Sequence, residues 1–256
     1  MAITTVWLVK VCPSHRNTEQ FPFISTSYTI FAEQPIIFSP VMRILIVNPP
    51  HPAIGSRIPR EQLPPLGLLS IGGSLLDAGY DVSLLDAELG PLSHQAIVQQ
   101  VFKHKPDILL IGHSGSTSAH PIVVELTRSL RQCLPHLTII YGGVFPTYHY
   151  RDILQQDPQI DIIVRGEGEA TVPKLIAALE KEEDLIDVAG IAFRREGEVI
   201  ETLPAPMIQD LDAYRVGWEL VNLKQYSYYG GKQAVVIQFS RGCPHLCNYC
   251  GQRGFW

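Results

Sequence analysis

RILIVN, residues 43–48, places four aliphatic side chains, Ile44 to Val47, in unbroken succession. A strand with one wet face alternates apolar and polar residues. A continuous apolar run suits a strand covered on both faces, as in a parallel sheet flanked by helices. The segments that follow keep that rhythm. PPLGLLSIGGSLLDAGY (64–80) reads as a helix, with Pro65 near its start and Gly79 near its end. DVSLLDAE (81–88) is a second strand, LSHQAIVQQVFKHK (92–105) a helix, and DILLIGHS (107–114) a third strand. HPIVVELTRSLRQCLP (120–135) is helical, LTIIYGG (137–143) a fourth strand, and RDILQQDP (151–158) a short helix. IDIIVRGEGE (160–169) gives a fifth strand and ATVPKLIAALEKEE (170–183) the helix after it. Five strands alternating with helices predict an α/β fold: a doubly wound, five-stranded parallel sheet of Rossmann or flavodoxin type.

Such sheets bind ligands beyond the carboxyl ends of their strands. Those ends read Asn48-Pro49-Pro50, Asp86, Gly112 to Thr117, Gly142-Gly143 and Arg165 to Glu169, so small and polar residues gather there. Glycine lets a ligand approach the backbone, and hydroxyls can bond to it. GEGEAT (166–171) lacks the third glycine of a dinucleotide fingerprint, GHSGS (112–116) lacks the closing glycine of a nucleophile elbow, and no Walker-type loop occurs.

The composition of the 256 residues, 46% hydrophobic and 18% charged, is that of a globular protein. A net charge of -5 gives no reason to expect nucleic acid or an anionic membrane as partner, and no apolar run is long enough to span a bilayer. Five cysteines, three of them clustered, read as a reduced, metal-binding chain rather than a disulfide framework, which predicts a cytoplasmic location. Residues 1–41 show no sustained periodicity and make a poor signal peptide. They are expected to be a poorly ordered extension, with folding starting at Met42, which is also a candidate translation start.

Residues 42–181 are therefore expected to form the first domain. The pattern changes near Glu182. VAGIAFRREGEVIETLP (188–204) reads as a hairpin around Glu196-Gly197-Glu198, and the tyrosine-rich stretch to 232 as a linker. AVVIQFS (234–240) reads as a new strand, opening a segment 233–256 that carries Cys243, Cys247 and Cys250. A structural zinc site needs four protein ligands, and no fourth follows Cys250. Three thiolates on a [4Fe–4S] cluster leave one iron open to a small chelating molecule.

CPHLCNYC (243–250) resembles the CxxxCx(aromatic)C signature of the radical S-adenosylmethionine enzymes, and AVVIQFS resembles the first strand of their barrel. PPLGLLSIGGSLLDAGY, GGVFPT, DIIVRGEGE and GIAFRREGEVI look like the cobalamin-binding domain of the B12-dependent members. The resemblance covers 42–256. It implies that Cys243, Cys247 and Cys250 hold the cluster, that the open iron binds S-adenosylmethionine, and that Tyr249 lies near the adenine. A one-electron reductant such as flavodoxin or ferredoxin would then generate a deoxyadenosyl radical that attacks a small-molecule substrate. It also implies a corrinoid over the sheet edge, its nucleotide tail lined by Ser114, Gly115, Ser116, Thr117, Gly142 and Gly143, with Glu167 near the corrin. Many such domains carry DxHxxG, whose histidine ligates cobalt. Here the place reads NPPHPAIG (48–55), so His51 is present without the aspartate that would orient it. DLDAYRVGWELVNLKQYSYYGGKQ (210–233), running on into the cysteine motif, is similar to the anaerobic magnesium-protoporphyrin IX monomethyl ester cyclases of chlorophyll synthesis, which implies a porphyrin substrate. B12-dependent radical methyltransferases, a non-catalytic cobalamin-binding fragment and a zinc protein remain the alternatives. A (β/α)8 barrel takes about 250 residues, so the chain is expected to be truncated after the barrel's first strand.

Overall fold

The structure is a computed structural model, and it describes residues 42–50, 62–113, 117–228, 230–243, 245, 247, 248 and 255. The expected extension 1–41 lies outside the described residues.

Strands β1 (Arg43–Asn48), β2 (Asp81–Asp86), β3 (Ile108–Gly112), β4 (Thr138–Gly142) and β5 (Ile162–Val164) pair in parallel, in the order 2-1-3-4-5. Helices α1 (Leu66–Asp77), α2 (His94–His104), α3 (His120–Cys133), α4 (Val144–Gln156) and α5 (Gly168–Glu180) connect and follow them. Because side chains alternate across a strand, RILIVN feeds both faces. Ile44 and Ile46 pack with Leu68 and Leu75 of α1 and Leu175 and Ile176 of α5. Leu45 and Val47 pack with Ile97 and Val101 of α2, Val123 and Leu126 of α3, and Ile153 of α4. Each such side chain, when fully buried, contributes about 1.5–3 kcal/mol relative to exposure. The helix ends follow local chemistry. Ser93 caps α2 by accepting from the Ala96 amide (3.3 Å), and α1 runs out at Gly79, whose φ of 88° is left-handed.

The sheet has seven strands rather than five. β6 (Ile191–Arg195) pairs antiparallel with β5, and β7 (Glu198–Glu201) pairs antiparallel with β6. Their turn, Glu196-Gly197, has positive φ at both residues, as a tight hairpin requires. The expected hairpin exists, but it extends the sheet instead of linking domains. Without it β5 would present an unpaired edge. Arg194 fixes it there by donating to the carbonyls of Leu154, Pro158 and Ile160 at 2.6–2.8 Å.

The stretch expected as a linker is a strap laid on α1. A Cβ on Gly73 would sit 2.2 Å from the Arg215 carbonyl oxygen, so only glycine admits the strap at this distance. The Gly217 amide donates to the Leu69 carbonyl (2.9 Å), and Arg215 pairs with Asp77 (2.5 Å). A small ribbon, β8 (Ser227–Tyr228) with β9 (Lys232–Gln233), follows. AVVIQFS forms no strand, contrary to its sequence. Val235, Ile237 and Phe239 are 48%, 63% and 89% exposed, and no described strand pairs with the segment. Strand propensity without a ladder partner does not hold a strand. RDILQQ of the expected short helix is the second half of the longer α4, which starts immediately after Gly143 and ends at Gln156. No helix among the described residues is long and apolar enough to cross a membrane.

Candidate functional site

The chain leaves β1 toward β2 on one side and β3 on the other, so strand order reverses at the β1/β3 boundary. A crevice opens at such a switch point. Here Gly112 of β3, Gly142 of β4 and Val164 of β5 stand in register at the carboxyl edge, leaving a low wall across three strands. Beyond it lies a cavity of about 700 Å³, in the size range of small-molecule and cofactor sites. Its floor is apolar, with Leu68, Ile71, Leu110, Ile140, Val164 and Val172. Gly143, at φ 112°, turns the chain from β4 into α4 along the rim.

Polar residues line the cavity at three places, Asn48 at the end of β1, His113 after β3, and Glu167, Glu169 and Arg241 at the β5–α5 turn, and each is held by neighbours. At the β1 end, buried Asn48 donates to Asp86 (2.7 Å), and Tyr226 of the strap donates to the other carboxylate oxygen of Asp86 (2.9 Å). Burial, and then the Asp86 charge, push the Tyr226 phenol well above its usual range, so it stays a neutral donor. At the β3 end, His113 Nε2 and Tyr141 Oη are hydrogen-bonded at 2.7 Å. Burial, with the charge of Asp157, pushes Tyr141 up as well. His120 stacks on Tyr141 with ring centroids 6.0 Å apart. Burial pulls its pKa below the ordinary histidine value, Asp157 at 3.7 Å opposes that, and His149 adds to it.

The third place is the β5–α5 turn. Arg241, 13% exposed, reaches Glu167 at 2.8 Å and Glu169 at 2.5 Å, both carboxylates being more than nine-tenths buried. Its Nε donates to Gln238 (3.0 Å), and the second oxygen of Glu167 accepts from the Ile208 amide (2.6 Å). Burial lowers the Arg241 pKa, but the hydrogen bonds and charges of Glu169 and Glu167 outweigh it and hold the guanidinium above its ordinary value. Arg241, Glu167 and Glu169 all line the cavity, as do Tyr228, Val236 and Gln238.

Of the residues expected from sequence, Gly142, Gly143 and Glu167 line this cavity. Glu167 is committed to Arg241 and Ile208, which leaves little of it for a ligand. Thr117 opens a short 3-10 turn ahead of α3. Ser114, Gly115, Ser116, His51, Tyr249 and Cys250 lie outside the described residues. Cys243 and Cys247 are free and exposed. No group of three or more His, Cys, Asp or Glu positioned to hold a metal occurs among the described residues. Sequence reading placed Asn48 and Asp86 at the ligand-binding edge but missed their bond to each other, Tyr226 and the Arg241 cluster. The available signals were a polar residue ending an apolar strand, and an arginine set directly before the cysteine motif.

Residues 59–176 match the family described as B12 binding domain. Over 84% of its length the chain is 79% identical to the anaerobic magnesium-protoporphyrin IX monomethyl ester cyclase of Synechocystis, and covers 43% of that protein. It thus spans less than half the length of this curated relative. Among solved structures, the radical S-adenosylmethionine methyltransferase TsrM from Kitasatospora setae, with cobalamin and a [4Fe–4S] cluster bound, superposes with a TM-score of 0.60. That match covers 83% of this chain and 42% of the other, at 16% identity. The cobalamin-dependent radical enzyme OxsB, with aqua-cobalamin and S-adenosylmethionine bound, superposes with a TM-score of 0.58 over 66% of this chain and 23% of its own, at 21% identity. These two likenesses speak for the fold.

Proposed function

From the B12 binding domain matched at 59–176, we propose that this chain is the cobalamin-holding part of a B12-dependent radical S-adenosylmethionine enzyme. The parent activity we assign is the anaerobic oxidative cyclisation of magnesium-protoporphyrin IX monomethyl ester, on the 79% identity to the Synechocystis cyclase. One observation carries the reading. The switch-point cavity is lined in part by Val236, Gln238 and Arg241, the stretch that leads directly into Cys243 and Cys247. A ligand in the cavity and a metal centre on the thiols would therefore be neighbours.

The residues fit a corrinoid. The Gly112–Gly142 row keeps side chains off the sheet edge, and the floor is apolar enough to exclude water from a large flat ligand. Asn48, held by Asp86, sets an amide at the mouth, and Gly143 brings backbone to the rim. Ser114 to Thr117, following β3, complete the assignment. Cys243 and Cys247 are free thiols, and with Cys250 they would hold a [4Fe–4S] cluster whose open iron takes S-adenosylmethionine, with Tyr249 beside the adenine. Cobalamin supplies one-electron and methyl-carrying chemistry, and the cluster with S-adenosylmethionine supplies hydrogen abstraction. His51 is not assigned to cobalt, because NPPHPAIG carries no partnering aspartate. A small one-electron donor protein, a porphyrin substrate and a cytoplasmic location belong to the same proposal.

Three measurements test it in order. Hydroxocobalamin titrated into the 256-residue chain should give saturable absorbance changes at one equivalent. Anaerobic addition of iron and sulfide should give a reducible cluster that is lost in Cys243→Ala. The longer parent should release 5′-deoxyadenosine from S-adenosylmethionine in the presence of the magnesium porphyrin. Absence of cobalamin binding would sink the assignment. Binding without deoxyadenosine release from the parent would leave a cobalamin carrier instead of an enzyme.

A further inference from the structure

Residues 234–243 have no regular secondary structure, and Val235, Ile237 and Phe239 point to solvent. Arg241 turns inward. Its side chain is 13% exposed and lies between two carboxylates that are 7% and 6% exposed. All three guanidinium nitrogens are engaged, Nη1 with Glu167, Nη2 with Glu169 and Nε with Gln238. A planar fork held at three points fixes direction as well as position, which a lysine could not do. Glu169 lies in the first turn of α5, where the helix dipole favours a carboxylate, so the cluster is seated on a rigid element. Glu167 also accepts from the Ile208 amide, so one side chain ties both the strap and the cysteine segment to the β5–α5 turn.

We infer that Arg241 is a positioning residue. Its grip on Glu167 and Glu169 sets the register of the cysteine-bearing segment against the cavity wall, with Cys243 two residues beyond the anchor. Because the three side chains line the cavity, a ligand there excludes water from the ion pairs and strengthens them. By linkage, the anchored segment tightens the ligand in return. This second half rests on the cobalamin reading above; the anchor itself does not.

The test has an arm for each half. In the unloaded 256-residue chain, chymotrypsin cutting after Phe239, which is 89% exposed, reports on the anchor. Arg241→Gln and Glu169→Gln should each speed cleavage about tenfold or more, with the double variant no faster than Arg241→Gln alone. Arg241→Lys should recover part of the protection, and melting curves control for global unfolding. Equal cleavage in wild type and Arg241→Gln would overturn the anchor. In the second arm the chain carries a reduced cluster and saturating cob(II)alamin. Wild type should show cobalt-enhanced relaxation of the cluster's electron-spin signal at a single separation. Arg241→Gln should show a weakened, distributed effect. An unchanged signal in the variant would overturn the positioning role. Failure of wild type to bind cobalamin or cluster would refute the functional reading, and the cleavage arm would still decide the anchor.

Discussion

The two walls of the cavity are built differently. The inner wall is the carboxyl edge of β1, β3, β4 and β5, where Leu110, Ile140 and Val164 are each at most 5% exposed and held by strand pairing on both sides. The outer wall includes Tyr228, Val236, Gln238 and Arg241, drawn from a two-residue strand and irregular chain. Packing fixes the inner wall, so its shape does not depend on a ligand. An ion-pair cluster and one strap fix the outer wall, so its position can answer to what fills the cavity. A large cofactor needs such a division, a rigid floor and a side that admits it.

The contrast can be broken first at its strong end. Leu109, fully buried in β3, should cost about 2–5 kcal/mol when cut to alanine, whereas Ile237→Ala in the outer segment should stay within about 0.5 kcal/mol. Urea denaturation of both variants checks this, and equal losses would mean the outer wall is packed like a core. Next in size is the strap. Tyr226, 2% exposed, donates to Asp86, and Tyr226→Phe should cost about 1–1.5 kcal/mol, seen as a lower urea midpoint with an unchanged slope. A third test asks how dry the layer behind the inner wall is. The folded-state pKa of His120 lies below its unfolded value, so its contribution to stability is complete above about pH 6.5. That contribution is lost as the pH falls from there through the folded-state pKa, by on the order of 1 kcal/mol for each unit of depression. His120→Gln should flatten stability between pH 7 and 5, and an unaltered slope would show that the imidazole is solvated.

The inner wall was legible because its signals are local. RILIVN carries its own evidence for burial on two faces, and glycines at strand ends mark where the backbone must stay bare. The hairpin turn at Glu196-Gly197 was equally legible, but its place was not, since nothing in GIAFRREGEVI says which sheet edge it will cover. AVVIQFS misled for the opposite reason. Its residues suit a strand, yet a strand exists only with a neighbour. The Arg241 cluster was out of reach because its partners lie 74 and 72 residues away in sequence. Two glutamates opening a helix look like ordinary dipole partners until the arginine arrives. Asn48 was visible as an interruption of an apolar run, but its partners Asp86 and Tyr226 come together only through the register of β1 with β2 and the path of the strap.

If the switch-point cavity holds the cobalamin proposed above, a side chain grown at Gly67 should displace it. Gly67 lies in the first turn of α1 on the cavity lining, and a Cβ there meets nothing within 4 Å. Gly67→Trp should therefore fill the mouth without disturbing the fold, and by removing a helical glycine it should leave the melting temperature equal or higher. Hydroxocobalamin titration of wild type and Gly67→Trp, read beside their melting curves, is the measurement. Wild type should bind one equivalent, and the variant, no less stable, should lose at least tenfold in affinity. Equal affinity in the two proteins, or no binding by wild type, would contradict it.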